Sequence, residues 1–449
     1  MKKDLMEKIV NLAKSRGFIN LSSEPYGGFS SCYDYGPLGV ELKNNIKKAW
    51  WDEMTRLQKN IVGLDASILM SPKVWEASGH LTAGFADELV ECKKCHKRFK
   101  KDDLKEIQDS SSKIQEVVCP DCGGELAAPK KFNLMMKTFI GPVEEDAAVT
   151  YLRAETCQGI YMNFEWVKNS MRLKTPFGIA QIGKAFRNEI TPGNFTYRTR
   201  EFEQMEMQFF VKPDEADKWF DYWKEQRMNW YLSLGMKKEN LRFHEHEKNE
   251  LAHYARKAFD IEYNFPFGWN EIEGIHHRGD WDLSNHSKAS GKDLSYFDEA
   301  TKEKYIPYVI ETSAGADRTS LAFLIDAYSE VEGGRTETTE ATKELETVLK
   351  LNKKLSPIKV AVLPLVKNKE GITKKAQEVF DLLKVKFLTQ YDESGSVGRR
   401  YRRQDEVGTP YCVTIDFQTL EDNTVTVRDR DTMKQERVAI DKLENYLSF

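Results

Sequence analysis

Hydrophobic positions along the chain change their period several times, and each change marks an element. Near the start, Leu5, Ile9 and Leu12 recur at helical spacing in MKKDLMEKIVNLAKSRGF, which predicts an amphipathic helix. From Gly183 to Phe210 (GKAFRNEITPGNFTYRTREFEQMEMQFF) the period is two, which predicts two strands joined by a polar loop. Thr191, Pro192, Gly193 and Asn194 are turn formers and end the first strand. Alternation puts Arg187 and Glu189 on one face of the first strand. It puts Phe202, Gln204 and Glu206 on one face of the second, with Met205, Met207 and Phe209 on the other. The Met and Phe face fits a core. The opposite face gathers charges that a core excludes unless they are partnered. Arginine for phosphate, phenylalanine for stacking and glutamate for an amine together suit a nucleotide cleft. A solvated sheet face carrying one stray Phe is the plainer alternative.

A second segment adds to this. Residues Tyr305 to Thr312 (YIPYVIET) predict a strand, Ser313 to Asp317 (SAGAD) a small-residue turn, and Arg318 to Ser329 a helix with Leu321, Leu324, Ile325 and Tyr328 at helical spacing. Glu311 and Ser313 fall on the same side of the strand end. Arg318 lies in the first helical turn, where the helix dipole disfavours a cation, so an anionic partner is expected; a surface salt bridge would also serve. Residues 330 to 357 open with Gly333 and Gly334 and are rich in Thr, Glu and Lys, which suits an exposed linker with a partial helix. Beyond Pro357, IKVAVLPLV reads as a buried strand, ITKKAQEVFDLLKV as a helix, and YCVTIDF and NTVTVRDR as further strands, a small α/β unit.

Length and charge narrow the picture. A chain of 449 residues holds two or three domains. Its net charge of −4 gives no global basic field, so any RNA binding must use local patches such as Arg399, Arg400, Arg402 and Arg403. No apolar run reaches membrane-spanning length. The N-terminal helix carries Asp4 and Glu7, unlike a signal or transit peptide, and with seven cysteines this points to a reducing, cytoplasmic setting. Cys92-Lys-Lys-Cys95 and Cys119-Pro-Asp-Cys122 are paired Cys-x-x-Cys knuckles, the spacing that surrounds one structural zinc with four thiolates. Cys32, Cys157 and Cys412 have no partner spacing and read as buried or semi-buried thiols. The loop pair His276 and His277 reads as solvated, or paired with Asp280 or Asp282, rather than as a general base.

In order along the chain, YDYGPLGVELKNNIKKAWW, FRNE, REFEQME, ETSAGADR and GSVGRRYRRQDEVGTP resemble the motifs of the class II aminoacyl-tRNA synthetases. Within them the chain is similar to the dimeric glycyl family over almost its whole length. The resemblance implies a mixed α/β (α+β) protein: a mainly antiparallel catalytic sheet with flanking helices, split over 1–87 and 150–330. A zinc-binding insertion would occupy 88–149, a linker 331–357 and an anticodon-binding domain 358–449. It implies a homodimer, with Trp50 and Trp51 as candidate interface anchors. Position 312 is threonine where many class II sequences have proline, and position 317 is Asp where a second glycine is common; Gly315 and Arg318 are kept.

The same resemblance implies roles. Arg187 would meet the α-phosphate and the substrate carboxylate, and Arg318 the γ-phosphate. Asn188, Glu189, Tyr197, Arg198, Thr199, Arg200, Glu201 and Phe202 would surround the nucleotide, Phe202 by stacking and Glu189 by receiving the adenine amine. Glu271 would hold magnesium between phosphates, with Ile272 contributing backbone, and Gly315, Ala316 and Asp317 would complete the ATP site. Neighbouring Glu273 could exchange roles with Glu271. Glycine would be held by Glu155, Phe202, Glu203, Gln204, Met205, Glu206, Glu311, Thr312, Ser313, Ala314 and Gly315, with Arg98 from the insertion. The implied chemistry is ATP-dependent formation of an aminoacyl-adenylate followed by transfer to tRNA. Sister histidyl, threonyl or prolyl ligases share the tail domain. A non-catalytic polymerase accessory subunit shares the fold but need not keep its phosphate arginines.

Overall fold

The computed structural model describes residues 2–81, 85–101, 104, 118–143, 145, 148–248, 250–252, 254–332 and 345–449. At its centre is a seven-stranded sheet. Its order is Leu241–Glu245, Lys257–Phe265, Gly268–Gly279, Tyr308–Gly315, Glu201–Val211, Phe177–Phe186 and Ile61–Gly63. All neighbours are antiparallel except the last pair. The predicted hairpin is its middle: Phe177–Phe186 and Glu201–Val211 pair from Phe177↔Phe210 to Phe186↔Glu201.

Period-two alternation divides the sheet into a greasy and a polar face. Met205, Met207, Phe209, Ile275, Ile310 and Ala314 are buried on the first. They pack in one core with Leu42, Ile46 and Trp50 of helix Pro37–Trp51, Phe220, Trp223 and Trp230 of helix Ala216–Ser233, and Leu321 and Leu324 of helix Ala316–Ala327. The N-terminal helix Lys2–Ser15 joins the same core through Ile9.

Four expectations are corrected here. The SAGAD segment is not a turn, because strand Tyr308–Gly315 runs through Gly315 and the helix starts at Ala316. His276 and His277 are not in a loop but inside strand Gly268–Gly279, which is paired on both sides. Trp50 is 0% exposed in the core, so it cannot anchor an interface; Trp51 is half-buried, its ring lying over Gly63. The segment expected to be an exposed linker with a partial helix lies partly outside the described residues, but Glu346–Leu349 is a strand paired to Tyr328–Val331. Val348, Leu349, Leu351 and Leu355 beyond it are buried.

Two smaller units flank the main sheet. Strands Ala86–Glu91, Arg98–Lys100 and Lys130–Asn133 form a three-stranded sheet that carries the cysteine knuckles. Toward the C-terminus a five-stranded sheet has the order Thr389–Tyr391, Val360–Pro364, Tyr411–Ile415, Thr424–Asp429 and Gln435–Ala439, the first three strands parallel. Helices Glu370–Leu383 and Val397–Val407 pack on it.

Candidate active site

The polar face of the main sheet is the floor of a cavity of about 250 Å³. Cross-strand register builds it in rows. Glu206 stands opposite Ser313, which stands opposite Gly274. One row along, Gln208 faces Glu311, and Glu311 faces His276. Gly274 leaves the row open, since a Cβ there would lie 2.6 Å from the His276 ring. Phe202 and Gln204 continue the same face, while Arg187, Glu189, Tyr197, Arg198 and Thr199 line the cavity from the strand ends and the hairpin loop.

Arg187 follows the first hairpin strand, fixed by Nε donating to the Ala154 carbonyl at 3.1 Å. Its guanidinium lies 5.3 Å from the Phe202 ring and 5.5 Å from the Phe85 ring. Arg318 has the anionic partner its position demanded, with Nη1 3.0 Å from Glu271 Oε2. It also donates to the Tyr197 carbonyl at 3.0 Å and stacks 4.4 Å over the Tyr197 ring. Burial disfavours both charges of the pair, but each partner offsets this in the other: the Glu271 carboxyl is held below its ordinary value and the Arg318 guanidinium above.

The structure separates Glu271 from Glu273. A bulge between Ile261 and Glu262 opposes them to Glu273 and Glu271 in turn, leaving Ile272 as the extra residue. Glu271 therefore faces the cavity, whereas Glu273 is fully buried on the other side with Arg227 Nε at 2.6 Å and Nη2 at 3.2 Å.

Three buried carboxylates meet at the deep end of the cavity, and their surroundings set them apart. Glu311 accepts from Gln208 Nε2 at 2.7 Å and Arg278 Nη1 at 3.0 Å, and lies 2.7 Å from His276 Nδ1. Burial would raise its pKa, but Arg278 and His276 outweigh that and hold it at about 2. Glu155 is likewise held well below the usual range against its burial, first by His80 and then by Arg278. Among the described residues no cation is within ion-pair distance of Glu206; it accepts from the Thr156 hydroxyl and from Gln208 Nε2 at 3.2 Å. Burial, then the charges of Glu311 and Glu155, push its pKa well above the ordinary carboxylate value. The trio thus sets two carboxylates biased toward the ionised form beside one biased toward the protonated form.

Not every expected residue comes to this cavity. Gln204, Ser313, Gly315 and Asp317 do. Met205, Ile272, Ala314 and Ala316 are in the core, and Thr312 is fully buried. Arg200 donates instead to the Ser30 carbonyl, Glu201 is exposed beside Lys184, and Asn188 donates its N–H to the Leu134 carbonyl. Glu203 lies behind Phe202, ion-paired with Lys47 at 2.9 Å and Lys43 at 3.3 Å. Arg98 is exposed on the cysteine module, paired with Glu91 at 3.0 Å, and does not line the cavity. The histidines are neither solvated nor paired with Asp280 or Asp282: His276 lines the cavity on Glu311 and His277 is buried. The sequence reading does not reach His246, Tyr254 and Asp260, which close the remaining wall, with His246 Nε2 2.8 Å from Asp260 Oδ2. Burial, then Glu271, raises the Asp260 carboxyl to about 6. The H-x-H alternation at His244 and His246 was the one signal that could have placed a histidine there.

The cysteines of the two knuckles do converge. All four Sγ atoms lie within 4.8 Å of one another, Cys92 to Cys122 at 3.5 Å and Cys95 to Cys119 at 3.6 Å. The N–H groups of Lys94 and Cys95 both point at Cys92 Sγ at 3.4 Å. Those of Cys95 and then Lys94 help bring its pKa down to about 6, while burial and the neighbouring cysteines push the Cys95 thiol up to about 12. His96 turns away, 3.4 Å from Glu91. Cys157 and Cys412 are buried and Cys32 half-buried, as read from the sequence.

The four-arginine run lies on helix Val397–Val407, which points its members in different directions. Arg400 is corrected outright: it is 2% exposed and donates to the Pro364 carbonyl at 2.6 Å and the Asp392 carbonyl at 3.2 Å, so it cannot meet RNA. Arg402 pairs with Glu346 at 2.8 Å and Arg403 with Asp392 at 2.6 Å; Arg399 is exposed.

Comparison with known proteins agrees with this geometry. The model of the class II tRNA synthetase core domain (G, H, P, S and T) matches residues 141–328, and that of the anticodon binding domain matches 359–448. A glycine–tRNA ligase of Treponema denticola is 56% identical over 96% of this chain and 94% of that protein. One of Streptomyces coelicolor is 52% identical over 100% of this chain and 99% of its own. Among solved structures, the prolyl-tRNA synthetase of Cryptosporidium parvum complexed with halofuginone and AMPPNP superposes with a TM-score of 0.63 at 16% identity, over 98% of this chain and 75% of that one, a likeness of fold.

Proposed function

The chain belongs to the glycine–tRNA ligase family of class II aminoacyl-tRNA synthetases, and on that premise we propose how its cavity joins glycine to ATP and passes the glycyl group to tRNA. The glycine carboxylate attacks the α-phosphorus of ATP. A carboxyl-oxygen-to-phosphorus bond forms, the bond to the bridging oxygen of the β-phosphate breaks, and pyrophosphate leaves. A terminal hydroxyl of the tRNA then attacks the glycyl carbonyl and AMP departs. No protein nucleophile is needed, so catalysis is positioning and charge stabilisation. The observation that carries the reading is the union in one cavity of two arginines for phosphate and three buried carboxylates for an ammonium.

Arg187 meets the α-phosphate and the glycine carboxylate, its planar fork suiting both. Phe202 stacks on adenine and Glu189 receives the adenine amine. Glu271, which faces the cavity and would give up Arg318, is the carboxylate that would hold a magnesium accompanying ATP, and that ion would supply neutralisation of phosphate charge; Glu273 is committed to Arg227. Arg318 then exchanges Glu271 for the γ-phosphate. Glu155, Glu206, Glu311 and Ser313 hold the glycine ammonium and fill the space of a side chain. Tyr197, Arg198, Thr199, Gly315 and Asp317 shape the nucleotide wall, and exposed Arg399 of the tail unit contacts tRNA.

The proposal divides the chain into a catalytic domain (1–87 and 150–330, to which the strand Glu346–Leu349 and buried Leu351 and Leu355 also belong), a cysteine insertion (88–149) and an anticodon-binding domain (358–449). It includes a homodimer and a cytoplasmic setting; no described helix is long and apolar enough to cross a membrane. Charging is tested directly: labelled glycine should become acid-precipitable on tRNA only with ATP present, and failure with a competent tRNA pool would refute the transfer step.

Two further outcomes are expected. Because burial and the neighbouring carboxylates bias Glu206 toward its protonated form and an ammonium would bias it toward the ionised one, glycine binding should release protons. Glycine affinity should then rise with pH until Glu206 ionises by itself. Calorimetry in buffers of different ionisation enthalpy reads this directly; proton uptake, or no exchange, would contradict it. The four thiolates fit a structural zinc, which leaves no open coordination position and supplies folding energy to the insertion. Elemental analysis should find one zinc per chain, and Cys119→Ser should release it and lower the melting of that unit. An insertion equally stable with and without metal would count against zinc.

A further inference from the structure

Residues at the entry to the cysteine module, His80 and Phe85, and at its exit, Asn133 and Leu134, are bonded to one another and to residues of the cavity. His80 is 7% exposed, with Nε2 3.3 Å from Glu155 Oε1 and Nδ1 2.8 Å from the Ser78 hydroxyl. An ionised carboxylate only accepts, so Nε2 must carry a hydrogen. The imidazole is locked between other groups: its ring lies 5.2 Å from Trp75 and 4.6 Å from Phe85. Its carbonyl accepts from Asn133 Nδ2 at 2.8 Å, on the returning strand. That strand continues the chain of contacts. The Leu134 N–H donates to the Phe85 carbonyl at 3.3 Å, and the Leu134 carbonyl accepts the Asn188 N–H at 2.8 Å, one residue beyond Arg187. The Phe85 ring itself stands 5.5 Å from the Arg187 guanidinium.

We propose that this stalk is part of the active site: His80 is a positioning residue for Glu155, and Phe85 with Leu134 is a positioning unit for Arg187. The inference rests on the reading of the cavity as the glycine and ATP site. Its physical basis is that a buried carboxylate needs a fixed donor to hold one rotamer, and a guanidinium at the cavity mouth needs a fixed wall. Glu155 has further contacts to Cys157 Sγ at 2.8 Å and Gln158 Nε2 at 2.9 Å, both from the helix that follows it. His80 is the contact that comes from across the cavity's edge. The module's attachment thereby reaches the glycine ammonium side of the cavity through His80, and the α-phosphate with the glycine carboxylate through Phe85 and Arg187.

The test is steady-state pyrophosphate exchange by the full-length protein, with the KM for glycine and for ATP measured separately. His80→Ala should raise the glycine KM by about tenfold, with the ATP KM within about twofold. His80→Gln, which restores an N–H, should recover much of the loss. Phe85→Leu should raise both KM values, because Arg187 meets the α-phosphate and the glycine carboxylate alike and the Phe85 ring also flanks His80; the split between the substrates is read from His80→Ala alone. Wild-type constants in both His80→Ala and Phe85→Leu would overturn the proposal. So would a rise in both constants in His80→Ala accompanied by a lower melting temperature, the mark of a loosened fold. A wild-type protein that does not exchange with glycine would instead refute the underlying reading of the cavity.

Discussion

Replacing Arg187 or Arg318 by alanine is expected to lower glycine-dependent pyrophosphate exchange by about 100- to 1,000-fold with the fold intact, the range found when one preorganised stabiliser of transition-state charge is removed. Negative charge builds on the phosphoryl oxygens as the carboxylate adds and pyrophosphate departs. Both guanidiniums are already fixed before that happens, Arg187 by the Ala154 carbonyl and Arg318 by the Tyr197 carbonyl and ring. Preorganisation is why the loss should appear in rate more than in stability. Both side chains are half-buried, and neither belongs to the apolar core. Circular dichroism and melting should stay close to wild type. Exchange by Arg187→Ala at near wild-type rate would show that the phosphate site lies elsewhere.

Glu206→Ala should do two things at once. Glycine loses its ammonium partner, and a buried charged hydrogen bond is worth about 1.5–3 kcal/mol, so glycine kcat/KM should fall about 10- to 150-fold. The same change empties space opposite Ser313, next to the gap kept open by Gly274. Alanine, excluded in the wild type by clash with a rigid wall, should become a measurable substrate. Glu206→Gln separates the two effects: the amide keeps the shape and should still exclude alanine while binding glycine weakly. An unchanged glycine rate in Glu206→Ala would remove Glu206 from the pocket. A rigid small pocket rejects larger substrates by sterics, whereas a missing methylene yields only about 1–3 kcal/mol of discrimination. Glycine is thus the amino acid that needs no editing site.

Much of this site was legible in the chain because the hairpin obeys one simple rule. In strand Glu201–Val211, alternate residues face the core and the cavity without interruption, so Phe202, Gln204 and Glu206 could be placed from spacing alone. The rule failed where pairing bends it. A bulge at Ile272 sends Glu271 and Glu273 to opposite faces, and no local pattern announces a bulge that exists only in register with Ile261 and Glu262. The run IHHRGDWD looked like a loop because it is polar. As far as Gly279 it is a central strand, and its polar groups find partners: His276 and Arg278 on Glu311 across the sheet, and Arg278 also on Asp282 of the helix that follows, at 2.7 Å. Arg400 shows the converse error. A basic run suggests an RNA patch, but a helix turns successive residues about its axis, and Arg400 ends buried among backbone carbonyls. His80 had no signal at all, since its contact with Glu155 spans 75 residues of sequence and depends on how the stalk folds back.

The central claim is that this cavity activates glycine and no other amino acid. Pyrophosphate exchange with each of the twenty amino acids in turn, at saturating ATP and magnesium and without tRNA, tests it most directly. Rapid exchange with glycine, and rates near background with alanine, serine, proline, threonine and histidine, is the predicted result. Faster exchange with any other amino acid, or none with glycine, would contradict it.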